Sequence, residues 1–278
     1  MTYGTIVVCG GGCYGGYYVR QLARARAAGA VRFDRIVVVD RDPGCDVARL
    51  ATAIAQDDAS GIATHGWRPR RAAADQPASD AAYQHLPLRC VTSEWAPFFD
   101  EWFGLAIADP DASALDAVVP SPLMPHLLAD WVASRMRLHQ SAAMVERIAL
   151  ASPPETPWQR AAPDMAHYAS FATWMCPINC IEPARCPETR GPRDWSMPAS
   201  VREAADRARA AGTPFDVVAV FQTTHRAYGV GMFDVRDAVE TDRSLRSLGA
   251  AAACTALVAS VSHCHGALAA LRAIMPAA

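Results

Sequence analysis

The sequence predicts an α/β protein, a Rossmann-like parallel sheet followed by a second βαβ-type lobe that carries Cys/His loops. Three observations predict it. The chain up to Asp40 reads strand, glycine turn, helix, strand, acid. The second half alternates apolar strand-like runs with helix signals, the pattern of parallel strands joined by crossovers. Between the halves, the prolines from Pro153 to Pro163 break the periodicity. The expected division is a dinucleotide-binding domain over 1–152 and a Cys/His-rich lobe over 153–278.

Thr5–Cys9 is a β-branched run that enters Gly10-Gly11-Gly12-Cys13-Tyr14-Gly15-Gly16. A helical stretch, Tyr17 to Ala28, stops at Gly29. A second strand, Arg35–Val39, ends in Asp40. Gly10, Gly12 and Gly15 stand in G-x-G-x-x-G register. The first glycine permits a tight turn, the second lets backbone approach a pyrophosphate, and the third lets helix pack on strand. The helix start offers unpaired N–H groups and a positive dipole end to phosphates. The candidate dinucleotide contacts are therefore Gly10, Gly12, Cys13, Tyr14 and Gly15, with Asp40 on the adenosine ribose. Asp40 favours NAD, because a carboxylate repels a 2′-phosphate, and Arg41 beside it keeps NADP open.

The run Val37-Val38-Val39-Asp40-Arg41-Asp42-Pro43 after that turn resembles the nucleotide-binding domain of the TrkA-N type. The same opening is similar to saccharopine-dehydrogenase-like and siroheme-synthase-like Rossmann domains. The resemblance spans about the first 55 residues and implies a fold and a dinucleotide cofactor.

Downstream, Asp57–Ala82 reads as a loop with a short helix, Leu88–Thr92 as a third strand and Leu115–Val119 as a fourth. Ligands of open parallel sheets sit at strand carboxyl ends, so Pro120, Ser121 and Pro122 are expected to border the cofactor. A helix from Met124 to about Arg137 and a strand Val145–Ala151 complete the first domain.

In the second lobe three apolar runs each lead into a loop rich in Cys or His. Phe171–Met175 leads into Cys176-Pro177-Ile178-Asn179-Cys180-Ile181-Glu182-Pro183-Ala184-Arg185-Cys186-Pro187. Asp216–Phe221 leads into Gln222-Thr223-Thr224-His225-Arg226, and Thr255–Val261 into Ser262-His263-Cys264-His265-Gly266. The expected helices are one with a Ser200/Glu203 capping box that stops at Gly212, one near Asp242–Ala251, and one over Ala267–Ile274. Loops after parallel strands share one sheet edge, so the three loops are predicted to converge.

Thiolates ligate zinc and iron–sulfur clusters, which makes Cys176, Cys180, Cys186 and Cys264 the candidate metal ligands. C-x3-C-x5-C matches neither the zinc-ribbon nor the ferredoxin spacing. An iron–sulfur cluster, zinc, a redox thiol pair and unligated thiols all stay open. His225 and His263 are the candidate acid/base residues, with Arg226 as an anion partner. The arginines Arg185, Arg190 and Arg193 read as a solvated loop, with a grip on an acidic substrate as the alternative. Cys9, Cys13, Cys45, Cys90 and Cys254 read as packing residues. His65, His85, His126 and His139 read as surface or satisfied-core histidines.

Composition excludes several classes. The net charge is −2, from 26 basic and 28 acidic residues, so nucleic acid is not an expected partner. Every basic residue is arginine, which removes Schiff-base chemistry, a lysine base and the lysine of a GK[ST] phosphate loop. No apolar run is long enough for a membrane helix, and the start of the chain lacks a leader pattern. A cytoplasmic location follows as an expectation. There the nine cysteines would be no disulfide framework.

The leading functional expectation is an NAD(P)-dependent oxidoreductase with a Cys/His metal or iron–sulfur centre at the cleft, acting on a small-molecule substrate. The alternative is a non-enzymatic nucleotide- and redox/metal-sensing regulatory protein, as the TrkA-N resemblance implies. Siroheme-type chemistry is a third. Alanine-rich helices also allow a homo-oligomer.

Overall fold

The computed structural model describes residues 1–52, 86–121, 126–140, 144–172, 180–249 and 253–274. The expected loop over Asp57–Ala82 lies outside them. The protein is α/β, with two mixed six-stranded sheets.

The first sheet has the order β3-β2-β1-β4-β10-β9. Its parallel part is β1 (Thr2–Cys9), β2 (Arg32–Asp40), β3 (Leu88–Thr92) and β4 (Ala117–Val119). Ile6, Val7 and Val8 are all buried, so β1 is covered on both faces, as a central parallel strand must be. Alternate residues divide between the faces. Ile6, Val8, Ile36 and Val38 meet Val19 and Leu22 of helix α1 (Cys13–Ala27). Val7, Cys9, Val37 and Val39 meet the aromatic face of α2 (Trp95–Ala108), through Phe98, Phe99 and Phe103.

The second sheet has the order β6-β7-β12-β11-β8. Its strands are β6 (Trp158–Ala161), β7 (His167–Ser170), β8 (Val217–Gln222), β11 (Thr255–Val261) and β12 (His265–Ile274), while β5 (Met144–Ile148) pairs with the far half of β12 beyond β7. Helix α4 (Met197–Ala210) covers one face through Met197, Val201 and Ala205. The other face turns Val217, Phe221, Val258 and Leu271 into the core that already holds the aromatic side of the first sheet. Helices α3 (Leu127–Gln140) and α5 (Val235–Ser247) fill the space between the sheets and are clamped together by Asp242 of α5. The Asp242 carboxylate accepts from Arg135 Nε at 2.7 Å and from Arg246 at 2.9 Å, and lies 2.6 Å from His139 Nε2.

A hairpin stitches the two sheets. After β8 leaves the second sheet, β9 (Thr224–Ala227) and β10 (Val230–Asp234) join the first, with β10 antiparallel to β4. Its two-residue turn is Tyr228-Gly229, at φ 49 and 78. Both angles are positive, as the turn that follows strand twist requires. The segment expected to be one loop, His225 to Gly231, is therefore a hairpin with a bulge beside Gly231. Residues 224–234, from the stretch assigned to the second lobe, complete the first sheet, and the sheets do not divide at 152.

Other boundaries shift for physical reasons. Ala267–Ile274 is strand β12, not a helix. It is buried on both faces between β11 and β7/β5, and that burial overrides the helix propensity of its alanines and leucines. Ser196 rather than Ser200 caps α4, accepting from the Ala199 amide, with Pro198 fitting the first turn. Helix α5 begins at Val235, directly after β10, and ends at Ser247, ahead of the expected Ala251. Of the expected run Phe171–Met175, Phe171 and Ala172 follow the end of β7 at Ser170, and the rest lies outside the described residues. Among the described residues no helix is long and apolar enough to cross a membrane.

Candidate functional site

The glycine turn is built as its sequence requires. Gly10 has φ +90 and donates to Val39 O at 2.8 Å. A Cβ on Gly15 would lie 1.8 Å from Gly10 O, so α1 starts against the turn with no room for a side chain. A Cβ on Gly12 would meet nothing within 4 Å, and Gly12 and Cys13 are exposed at a helix start that has no side-chain cap. Asp40 closes the turn from β2. One carboxylate oxygen accepts from the Gly11 amide at 2.6 Å and the other from the Asp42 amide at 2.9 Å. Each oxygen keeps a second lone pair. Tyr14 is half-buried and Arg41 is exposed. Trp95 borders the turn, its Nε1 donating to Val39 O at 3.0 Å and its ring lying against Gly10. Pro120 and Ser121 follow β4 beside the end of β1, where the Ser121 amide donates to the buried Cys9 sulfur. Burial nonetheless pushes that thiol up to about 12.

The Cys/His loops converge as the topology requires. β7 and β11 both run antiparallel to β12, and β8 runs parallel to β11, so their carboxyl ends share one edge. There the Phe171 amide donates to Cys264 O and the Thr223 amide to Val261 O. The cysteine loop folds over this edge. Cys186 heads a small turn in which its amide donates to Gly191 O and Arg190 donates to its carbonyl. The amides of Thr189 and Glu188 and the Thr189 hydroxyl donate to its sulfur, and the Arg193 guanidinium, which donates from Nη1 to Pro183 O, lies beside it. Although burial opposes it, these donors hold the thiol below its ordinary range. Arg193 also faces Cys264 and Cys180, with its Nε and Nη2 buried. Trp195 stacks on Phe171 and donates from Nε1 to Cys264 Sγ at 3.4 Å. Burial raises the Cys264 thiol against the donors Trp195 and Arg193.

Glu182, at φ 51, turns the loop inward and accepts from the His263 amide at 3.0 Å. Burial holds His265 below its ordinary value, opposed by the Glu182 charge and reinforced by His225. His225 Nδ1 lies 2.7 Å from Gly229 O. A carbonyl only accepts, so Nδ1 carries the proton and Nε2 of the neutral ring is the basic nitrogen. Ile181 packs against Gly229 at the hairpin tip. Because β10 runs antiparallel to β4, that tip lies at the carboxyl end of β4, the edge from which the glycine turn leaves β1. The hairpin thus adjoins both the glycine-turn edge of the first sheet and the cysteine loop.

Not every expected residue belongs to this constellation. Cys176 lies outside the described residues, as do Pro122, His65 and His85. Cys180, Cys186 and Cys264 come together, but around Arg193; among the described residues no three of His, Cys, Asp and Glu form a group that could hold a metal ion. His263 is tied in through its backbone, to Glu182 and to the Met197 amide. Arg226, the expected anion partner, is paired bidentately with Asp234 at 2.5 and 3.0 Å. Arg193, read from sequence as a solvated loop residue, is the cation of the thiol cluster. Its signal was the charge among three cysteines that the topology already brought to one edge.

Residues 128–274 match the AF_1314_C family model, described as "Uncharacterized protein, C-terminal domain". That stretch exceeds half of the chain, which belongs to this family, and it runs from α3 to the end of β12. No curated protein and no solved structure matches the chain.

Proposed function

We propose that the protein is an NAD(P)-dependent oxidoreductase that holds its dinucleotide at the Gly10–Gly15 turn and a small-molecule substrate at the adjoining hairpin edge. The observation that carries this reading is the stitch made by β9 and β10, which adds to the first sheet beside β4 and carries His225 on its outer strand, near His265 of the Cys/His loops. The strand order β3-β2-β1-β4 with α1 leaving the first turn supports a Rossmann-like half. The amides at the start of α1 would receive the pyrophosphate, Gly12 gives it room, and the free lone pairs of Asp40 would accept the ribose hydroxyls. A bound nicotinamide supplies hydride transfer. The chain's own part is proton handling at His225 Nε2, with Gly229 O fixing the ring.

Iron–sulfur and zinc chemistry need three or four ligand atoms around one point. Cys180, Cys186 and Cys264 do not supply that among the described residues, and no step is assigned to a metal. The three cysteines instead cluster beside Arg193, and a metal and sulfide assay on the whole chain is the direct check.

The test is turnover of NADH and NADPH against a panel of carbonyl substrates. Nicotinamide oxidation that falls by ~10²–10⁴ in His225→Gln, with nucleotide binding unchanged, is the expected result. Tight nucleotide binding without turnover on any member would instead favour the regulatory reading. One observation speaks for that second reading, a contacting thiol pair beside the glycine turn.

A further inference from the structure

Cys45 and Cys90 come from distant parts of the chain and meet beneath the glycine turn. Cys90 stands on β3 opposite Val38 of β2. Cys45 lies on the connection that follows Asp40, where its amide donates to Asp42 O and the Val47 amide donates to Gly11 O. The Cys45 sulfur fills the space under Gly11: a Cβ there would lie 2.3 Å from Cys45 Sγ and 3.4 Å from Val38 Cγ1. Both cysteines therefore flank the same face of Val38. The two thiols interact across that face, and burial, with the Cys45 and Asp40 groups nearby, pushes the Cys90 thiol up to about 11. Cys45 is buried and Cys90 is partly exposed.

We propose that Cys45 and Cys90 are a reversible dithiol–disulfide pair that reshapes the glycine turn when oxidised. In mildly alkaline solution the thiolate fraction of the accessible Cys90 first attacks a small disulfide such as oxidised glutathione, forming a mixed disulfide while the departing glutathione takes up the Cys90 proton. The Cys45 thiolate then attacks the Cys90 sulfur. The second glutathione leaves and takes up the Cys45 proton, so two protein thiols become one S–S bond and one small disulfide becomes two thiols. Bonded sulfurs stand ~2 Å apart, well inside hydrogen-bond contact. The Cys45 sulfur must therefore move toward β3 and away from Gly11. That withdraws the packing under the turn whose Gly11 amide Asp40 holds.

The effect on nucleotide affinity rests on the dinucleotide reading of the turn; the disulfide and the change in the turn do not. The test treats the full chain with oxidised glutathione or with a dithiol reductant. Three quantities are read: the trypsin-resistant link between peptides 42–49 and 90–135, amide hydrogen exchange across 9–16, and NADH affinity through Trp95 emission. The expected result is a linked peptide pair in the oxidised protein, faster exchange across the turn, and NADH binding weakened at least about fivefold. Cys90→Ser should show none of the three. Absence of the link under oxidant overturns the proposal, as does a link that leaves exchange across 9–16 unchanged. If neither redox state binds NADH or NADPH while link and exchange respond as expected, the dinucleotide reading fails and the dithiol switch stands.

Discussion

A methyl group at Gly15 has nowhere to go, whereas one at Gly12 faces open space. Under the proposed dinucleotide reading, these two glycines separate folding from binding within one motif. Gly15→Ala drives a carbon into Gly10 O and is expected to cost at least ~3 kcal/mol in urea unfolding. Gly12→Ala should change stability by less than ~1 kcal/mol, while weakening NADH binding at least ~10-fold because the methyl stands where the pyrophosphate approaches. Asp237 gives a residue-scale prediction of opposite sign. Burial, with Asp234 and Glu240 nearby, raises its carboxyl from 3.8 to about 6. A carboxyl whose folded pKa lies above its unfolded value costs stability once it ionises, progressively between those two values and fully above about 6. Asp237→Asn should therefore be more stable than the parent at neutral pH, by ~1–2 kcal/mol. Chemical denaturation should show that advantage vanish below the ordinary carboxylate range.

At the scale of elements, the clamp between α3 and α5 is the most exacting polar feature of the core. Burial alone would raise Asp242, yet hydrogen bonds from His139 and Arg135 hold it below its ordinary 3.8. Its stabilisation is complete above the unfolded carboxylate value and is lost as pH falls through the lower folded one. Asp242→Asn is expected to cost ~3 kcal/mol at neutral pH, with the difference narrowing in acid denaturation. The same scale explains what was legible from sequence. The β-branched runs of β1, β2 and β11 and the glycine stop after α1 carry their own periodic or turn signals, and they fall where expected. β12 does not, because Gly266-Ala-Leu-Ala-Ala-Leu is equally apolar in every direction and only its place in the sheet makes it a strand. The hairpin was hidden for a different reason. Its turn, Tyr228-Gly229, places a tyrosine at positive φ, where Asn or Asp is the familiar signal. The convergence of the Cys/His loops was readable from topology, whereas the position of Arg193 among the sulfurs depends on side-chain packing that spacing does not encode.

For the whole molecule, the aromatic core that α2, α3 and α5 share between the sheets, together with the β9–β10 stitch, makes the halves interdependent. Fragments 1–152 and 153–278 expressed separately should lack native-like near-ultraviolet circular dichroism. The first would lose β10, which pairs with β4, together with β9, and the second would lose α3 from its core. Two well-folded fragments would contradict that interdependence. The central claim is that this architecture presents a dinucleotide to the hairpin edge. Its most direct measurement is a calorimetric titration of the whole protein with NAD+, NADH, NADP+ and NADPH, in parallel with Gly12→Ala. The account predicts saturable one-to-one binding of at least one of the four, stronger for the NAD pair because of Asp40, and reduced at least ~10-fold by the added methyl. No saturable binding of any of them to a folded, reduced protein would contradict it.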